Sequence, residues 1–286
     1  MAEMKADLHM HSTYSDGGCD PSELMKRCAD GGLSIVALTD HDTTGGVEAA
    51  AKEAEKLGVT FILGIELSTR VQGKSVDILG YGINPEDEEF QKTIAFYRSM
   101  RKSRMDEMLK KCKVEGLDVR WSDVLRYVTG HTYSRPHLAK ALVEKGYAKT
   151  VKEAFDRYVG EGKPCYVKKE EELTPYEAID TIHGAGGLAV VAHPIFYRLD
   201  DEIKNWVIHG GLDGIEVYHR DHDTDAVDRF KALAKSIENE TGTSLLKTGG
   251  SDFHHESFGR AGEELGVTNL PYHEAELLLE ELQKVR

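Results

Sequence analysis

Cysteine is scarce and unpatterned: the 286 residues hold four, Cys19, Cys28, Cys112 and Cys165, with no CxxC spacing. That excludes a disulfide framework and a zinc ribbon, and it reads as reduced thiols. Long apolar runs are missing too. The longest, such as Leu188 to Ala192 and Ile35 to Leu38, fall far short of a membrane span, and no apolar signal region opens the chain. A cytoplasmic location with no membrane partner is the expectation. Positive charge is in deficit: 36 basic residues against 50 acidic give a net charge of -14. A field of that sign repels polyanions, so long nucleic acid is disfavoured and a small substrate favoured. Composition that is 40% hydrophobic and 8% aromatic still allows one large α/β domain with a smaller insertion.

What the chain does have is histidine and carboxylate at recurring places. His9 and His11 lie two apart, so on a strand both imidazoles point to one side. Asp16 follows beyond a Ser/Thr-rich turn ending in Gly17-Gly18, from which its carboxylate can return to the same place. Asp20-Pro21-Ser22-Glu23 opens a helix to about Ala29, with an N-cap acid and proline at the first helical position. Ile35 to Leu38 is a buried β-run leading to Thr39-Asp40-His41-Asp42, and a helix follows from about Gly46 to Leu57. Phe61 to Glu66 and Ser75 to Tyr81 are further β-runs, the first ending in an acid and the second containing Asp77.

From residue 87 to 169 helical periodicity takes over, with segments predicted at Glu88 to Val114, Trp121 to Val128, Arg135 to Glu144 and Val151 to Tyr158. A small helical domain inserted into a main domain of residues 1–86 and 170–286 is the expectation. The basic run Arg98, Arg101, Lys102, Arg104, Lys110, Lys111 and Lys113 reads as a solvated helix face. Ser134 can cap a helix that has Arg135 in its first turn, where a cation opposes the helix dipole; a packing role and an anion ligand both fit Arg135. Thr174-Pro175-Tyr176-Glu177 is a capping box. The β-rhythm then resumes with Leu188 to Ala192, Gly214 to Tyr218 and Ser244 to Thr248, and a closing helix runs from His273 to Lys284. Seven strands alternating with helices point to a parallel sheet or barrel.

Nine groups stand at strand ends or just past them: His9, His11, Asp16, His41, Glu66, Asp77, His193, Asp252 and His254. Burying so many at one barrel mouth is costly unless cations satisfy them together. Nine N/O donors exceed the needs of one ion, so two or three divalent ions, Mn, Zn or Fe, are implied.

The ordered motifs D-L-H-x-H-S, T-D-H-D, G-x-E, L-G-Y-G, A-H-P and G-S-D-F-H resemble the PHP (polymerase and histidinol phosphatase) family of the amidohydrolase superfamily, most closely its stand-alone phosphoesterases. The resemblance implies a distorted (β/α)7 barrel with an inserted helical domain. It implies His9, His11, Glu66 and Asp252 around one ion, Glu66 bridging to a second held by His193 and Asp77, and Asp16, His41 and His254 around a third. Asp77 departs from the family, which has histidine there. A fourth carboxylate leaves three divalent ions with an excess of about +2 rather than about +3, which favours a less charged ester such as a five-membered cyclic phosphodiester. The motif R-P-H matches Arg135-Pro136-His137 and implies phosphate contacts from Arg135 and His137, with Tyr197 and Arg198 as further contacts. Asp252 or His254 is a proton shuttle in this reading.

The chemistry expected is hydrolysis of small nucleotide or sugar phosphates, since a water between two divalent ions is acidified toward neutral pH. Two alternatives stand beside it. One is a 5′-to-3′ exonuclease trimming short oligonucleotides; the other is a metal-binding module without catalysis.

Overall fold

A computed structural model describes residues 4–128, 130, 132–168, 171–258 and 262–285. The expected domain boundary at residues 169 and 170 lies outside them. Seven strands form one sheet in chain order: β1 (Lys5–Asp7), β2 (Leu33–Leu38), β3 (Thr60–Val71), β4 (Lys74–Tyr81), β5 (Leu188–Val191), β6 (Gly214–His219) and β7 (Leu246–Gly250). The edges meet: Leu8 N donates to Gly249 O at 3.1 Å, His11 N donates to Phe253 O at 2.9 Å, and Met10 pairs with Phe253 in parallel. The result is a nearly closed, distorted (β/α) barrel.

One strand departs from the expected parallel pattern. β4 runs antiparallel to both β3 and β5, while every other pair is parallel. The cause is local. Gln72 and Gly73 both have positive φ, 49° and 79°, the backbone of a two-residue hairpin turn, so the chain reverses without a crossover helix. Reversal puts the beginning of β4 beside the far end of β3, so Asp77, opposite Ser68, stands on the same side as the carboxyl ends of the parallel strands.

Helices cover the barrel in the expected alternation: α1 (Pro21–Asp30), α2 (Val47–Leu57), α3 (Glu88–Val114), then the short α4 (Trp121–Val124), α5 (Arg135–Glu144) and the short α6 (Val151–Ala154), followed by α7 (Pro175–Gly184), α8 (Asp200–Gly210), α9 (Thr224–Thr241) and α10 (Tyr272–Lys284). The caps read from sequence are made: the Asp20 carboxylate accepts from Ser22 N at 2.9 Å and Glu23 N at 3.0 Å, and Thr174 and Glu177 form the reciprocal box. The segments after α4 and α6 tighten and loosen into a 3₁₀ turn (Leu125–Tyr127) and a π turn (Phe155–Val159), so both predicted helices end early.

Two apolar cores share α3. Phe90 and Ile94 in its first turns pack with barrel residues such as Ile65, Ile78 and Ile182. Met105, Met108, Leu109 and Cys112 in its later turns pack with Val124, Leu138, Leu142 and Cys165. The arginines of the basic run are not a solvated face. Arg101 is buried on the Asp42 carboxylate with its Nη2 on Ser68 Oγ at 2.8 Å, and Arg104 donates from Nε to Val167 O at 2.6 Å. Lys102, Lys110, Lys111 and Lys113 are exposed, so the solvated reading holds for the lysines alone. Among the described residues no helix is long and apolar enough to cross a membrane.

Candidate metal centre

β1 ends at Asp7, two residues before His9, and the continuing extended backbone sends both imidazoles of His9-x-His11 into the barrel mouth with no exposed surface. Around Glu66, at the middle of β3, the geometry is dense. Its Oε2 lies 3.3 Å from His9 Nε2, 3.2 Å from His11 Nε2 and 3.2 Å from His41 Nδ1, and its Oε1 lies 3.0 Å from His193 Nε2. Asp252 Oδ1 adds contacts of 3.1 Å to His11 Nε2 and 3.6 Å to His9 Nε2. Across the mouth, Asp16 Oδ1 lies 3.2 Å from His254 Nε2.

Among the described residues, three groups of donors have their ligand atoms within 4.8 Å of one another: His9, His11, Glu66 and Asp252; His11, Asp16, His41 and His254; and His41, Glu66 and Asp77. His193 joins through Glu66 Oε1, and His41 takes part in two groups where the resemblance placed it in one. The donor set fits divalent cations on a specific observation. His9 Nε2, His11 Nε2, His41 Nδ1, Glu66 Oε2 and Asp16 Oδ1 are buried without a hydrogen bond among the described residues, although their partners are so near. Ligands sharing an ion at ~2.1 Å sit about 3.0–3.4 Å apart, which is this spacing. Hydrogen bonds alone leave these atoms unsatisfied; shared cations satisfy them.

The charges agree. Burial pushes the His11 imidazole down, yet Asp252 and Glu66 outweigh it and hold it up at about 10; against the same burial, Glu216 and Glu66 raise His9, and Glu66 first of all raises His193. Burial likewise pushes the carboxylates up, and the surrounding histidines bring Asp16, Glu66 and Asp252 well below the ordinary range instead. Each group favours the charged form of the other.

Behind the ligands stands a layer that sequence reasoning missed. Glu216, inside the apolar run of β6, holds His9 Nδ1 at 2.9 Å through Oε1 and accepts His193 N at 2.7 Å through Oε2; His9 brings its carboxyl down to about 2 although burial opposes this. Its signal was a buried acid in an otherwise apolar strand. Arg220 Nη2 donates to Asp252 Oδ2 at 3.1 Å, and Asp40 accepts from Ser12 N at 2.8 Å and from the hydroxyls of Ser12 and Ser15, fixing the loop that carries Asp16. His193 and Asp252 have left-handed backbones, φ 26° and 47°, strain of the kind that accumulates where side chains must be aimed.

Of the expected substrate contacts, Tyr197 and His137 are packed into the protein, while Arg198 stays open to solvent. Tyr197 is buried; its hydroxyl accepts from Asp77 N at 2.9 Å and pairs with His193 Nδ1 at 2.8 Å, so it lies behind the ligands. His137 is fully buried with Nδ1 accepting from Ser134 N at 3.2 Å, and burial pushes it down to about 4. It serves as the third residue of a capping box. Arg198 is exposed on a left-handed turn. Arg135 is different: half-buried, it lies over the rings of Phe155 and Tyr166 at 5.5 and 5.8 Å, with no carboxylate in ion-pair range among the described residues. Burial lowers its pKa, and it in turn helps burial bring Arg104 down to about 10.

The Tyr197 hydroxyl sets which nitrogen of His193 faces Glu66. Tyr197→Phe is therefore expected to weaken metal retention by about ten- to a hundredfold, read by competition with a chelator, with little change in thermal stability. Wild-type retention would count against that role.

The PHP domain description matches residues 7–183. The chain belongs to the PHP domain family. Within it, this PHP protein is 33% identical over 258 residues to a 5′-3′ exoribonuclease of Haemophilus influenzae, covering 87% of this chain and 90% of that one. It is 33% identical over 267 residues to a 3′,5′-nucleoside bisphosphate phosphatase of Chromobacterium violaceum, covering 92% and 90%. Its fold matches a protein of Bifidobacterium adolescentis, solved as a candidate metal-dependent phosphoesterase, with a TM-score of 0.87 and 31% identity over 98% of this chain and 96% of the other. The PHP protein is a hydrolase, a metal-dependent phosphoesterase.

Proposed function

We propose that the PHP protein hydrolyses small phosphate esters of the nucleotide class. The observation that carries this is the convergence of buried, hydrogen-bond-deficient nitrogens and oxygens on Glu66 and Asp16. In this reading His9, His11, Glu66 and Asp252 hold one divalent ion, Asp16, His41 and His254 another, and His193 and Asp77 complete a place beside Glu66. Bound there, such ions acidify a water and take up the charge that develops on phosphoryl oxygens. The chain does the rest. The left-handed turns at His193 and Asp252, the Glu216 carboxylate and the Tyr197 hydroxyl hold the ligands in place before substrate arrives. The P–O ester bond breaks, water supplies the new oxygen, and Asp252 or His254 passes a proton to the departing one.

The later turns of α3, with residues on to 168, act as a lid-like helical insertion within 87–169, carrying Arg104 and Arg135 as anion-binding cations. Arg135→Ala is expected to lower kcat/KM by about ten- to a hundredfold, as loss of a hydrogen bond to a charged group does, without loss of bound metal. An unaffected kcat/KM would return Arg135 to packing over Phe155 and Tyr166.

Exonucleolytic trimming of short oligonucleotides is the second reading. The specific observation for it is the pair of half-buried guanidiniums, Arg104 and Arg135, both over the Tyr166 ring at 5.3 and 5.8 Å and close enough to repel each other, a paired cation that phosphoryl oxygens relieve. The net charge of -14 opposes long polymers. A product-release screen decides between them, with Mn, Zn or Fe present and chromatography reading inorganic phosphate, released mononucleotides and opened cyclic esters alike, over 5′- and 3′-nucleotides, bisphosphates, five-membered cyclic phosphates and 5′-phosphorylated di- to pentanucleotides. Release from none of these would overturn both readings.

A further inference from the structure

Six of the seven strands carry a donor of the metal centre within them or just past them: His9 and His11, His41, Glu66, Asp77, His193, and Asp252 with His254. β6 carries none. It ends in His219, at the carboxyl end of the strand, where side chains of a barrel of this kind reach the mouth. No surface of that side chain is exposed, and its ring lies 5.4 Å from the ring of His193 and 6.3 Å from that of His9. Its Nε2 is buried and makes no hydrogen bond among the described residues. Asp252 Oδ2 stands 3.8 Å away, beyond hydrogen-bond length. The ring is nevertheless beside solvent-reached parts of the centre, since the His193 and Asp252 side chains keep 10% and 11% of their surface exposed.

The other ring nitrogen decides what Nε2 can do. Asp221 N donates to His219 Nδ1 at 3.1 Å, so Nδ1 gives its lone pair and the proton of the neutral ring sits on Nε2. The Asp221 carboxylate, 3.7 Å from Nδ1, is too far to take a proton from it. An Nε2 that bears a proton is a donor and not a cation ligand. The neighbouring donors are engaged: Arg220 gives Nη2 to Asp252 Oδ2 at 3.1 Å and Nη1 to Asp252 O at 3.0 Å, and His222 Nδ1 pairs with Val217 O at 2.8 Å. His219 therefore holds a buried N–H ready at the mouth, with its acceptor still to come.

We infer that His219 donates this N–H to an oxygen of the phosphoryl group bound at the metal centre, as a neutral imidazole that meets developing negative charge without gaining or losing a proton. The inference rests on the phosphoesterase reading above and adds a catalytic contact to it. A phosphate ester dianion brings acceptor oxygens only, which is what the unmet donor lacks. It also bears on Asp77: a carboxylate there raises the negative charge facing the substrate, and an N–H aimed at the phosphoryl group offsets part of it.

The test uses the manganese-loaded full chain as wild type, His219→Met, His219→Phe and His219→Gln. Methionine and phenylalanine remove the N–H with different packing, while glutamine keeps an amide N–H near the place of Nε2. Calorimetry gives the affinity for inorganic phosphate, elemental analysis the metal per chain, and product release from AMP the kcat/KM. His219→Met and His219→Phe should weaken phosphate binding about ten- to a hundredfold and lower kcat/KM by at least as much, with metal per chain unchanged; His219→Gln should recover most of both. Phosphate affinity unmoved in the Met and Phe variants, no recovery in His219→Gln, or a wild type that binds no phosphate overturns the inference. So does a loss of metal in the Met and Phe variants, which would make the ring a support of Asp252. If the wild type leaves AMP intact while the affinities follow the expected pattern, the contact stands and the hydrolytic reading fails for this ester; turnover with unmoved affinities does the opposite.

Discussion

Glu66→Gln is expected to remove at least about a thousandfold of kcat/KM, ~4 kcal/mol of transition-state stabilisation, and to lower the metal bound per chain. Four histidines converge on this carboxylate at 3.0 to 3.3 Å, and none of its surface is exposed. Glutamine keeps the shape. It removes the negative charge that raises His9, His11 and His193, and it turns one acceptor oxygen into a donor aimed at imidazole nitrogens that have to be lone-pair ligands. Two of the three donor groups contain Glu66, so both are weakened by one substitution. His11→Ala, which also removes a member of two groups, should behave alike. Elemental analysis of purified variants measures the metal, circular dichroism verifies the fold, and steady-state phosphate release gives kcat/KM. A Glu66→Gln protein with wild-type turnover would falsify the shared-cation account of this mouth.

How far such a site can be read in advance depends on whether its parts obey a local period. His9 and His11 alternate on one face of an extended segment, and Glu66, His193, Asp252 and His254 sit within or just past β-runs, so strand alternation and chain order place them at one mouth. Seven strands were countable for the same reason. The direction of β4 was not: it hangs on two left-handed residues, Gln72 and Gly73, whose identities are weaker turn signals than Asn-Gly or Asp-Gly. The supporting layer was hidden more deeply. Glu216 meets His9 across 207 positions of sequence, and Arg101 meets Asp42 across 59, and no periodicity within either segment announces those pairings. Tyr197 shows the converse limit. Its neighbourhood to His193 was visible, but whether its hydroxyl faces the substrate or the back of the ligand depends on the 3₁₀ turn Pro194–Phe196 that redirects the chain.

Removing the metal should make stability depend on pH with a definite sign. In the metal-free protein His11 is held at about 10, above its ordinary value of 6.5, so its contribution is fully present below about 6.5 and is lost as pH rises through 10. Glu216, at about 2, and Asp16, Glu66 and Asp252, all lowered, act the other way: their contribution is present above the ordinary carboxylate range and is lost as pH falls through the folded values. The imidazolium–carboxylate network of the metal-free protein therefore contributes most between about pH 4.5 and 6.5. The Tm of metal-free protein should fall by ~5–10 °C between pH 6 and pH 9, the equivalent of a few kcal/mol in a chain of this size. Metal-loaded protein should not share that decline, because divalent ions take the unprotonated imidazoles and replace protons in neutralising the carboxylates. The gap in Tm between loaded and chelated protein should widen with pH, and titrating metal into chelated protein at pH 7.5 should release protons, read as a dependence of the calorimetric heat on the ionisation enthalpy of the buffer. A gap that is constant with pH, together with no proton release, would mean that His9, His11 and His193 are neutral before metal arrives. The imidazolium–carboxylate network around Glu66 would then not be what holds the metal-free mouth together.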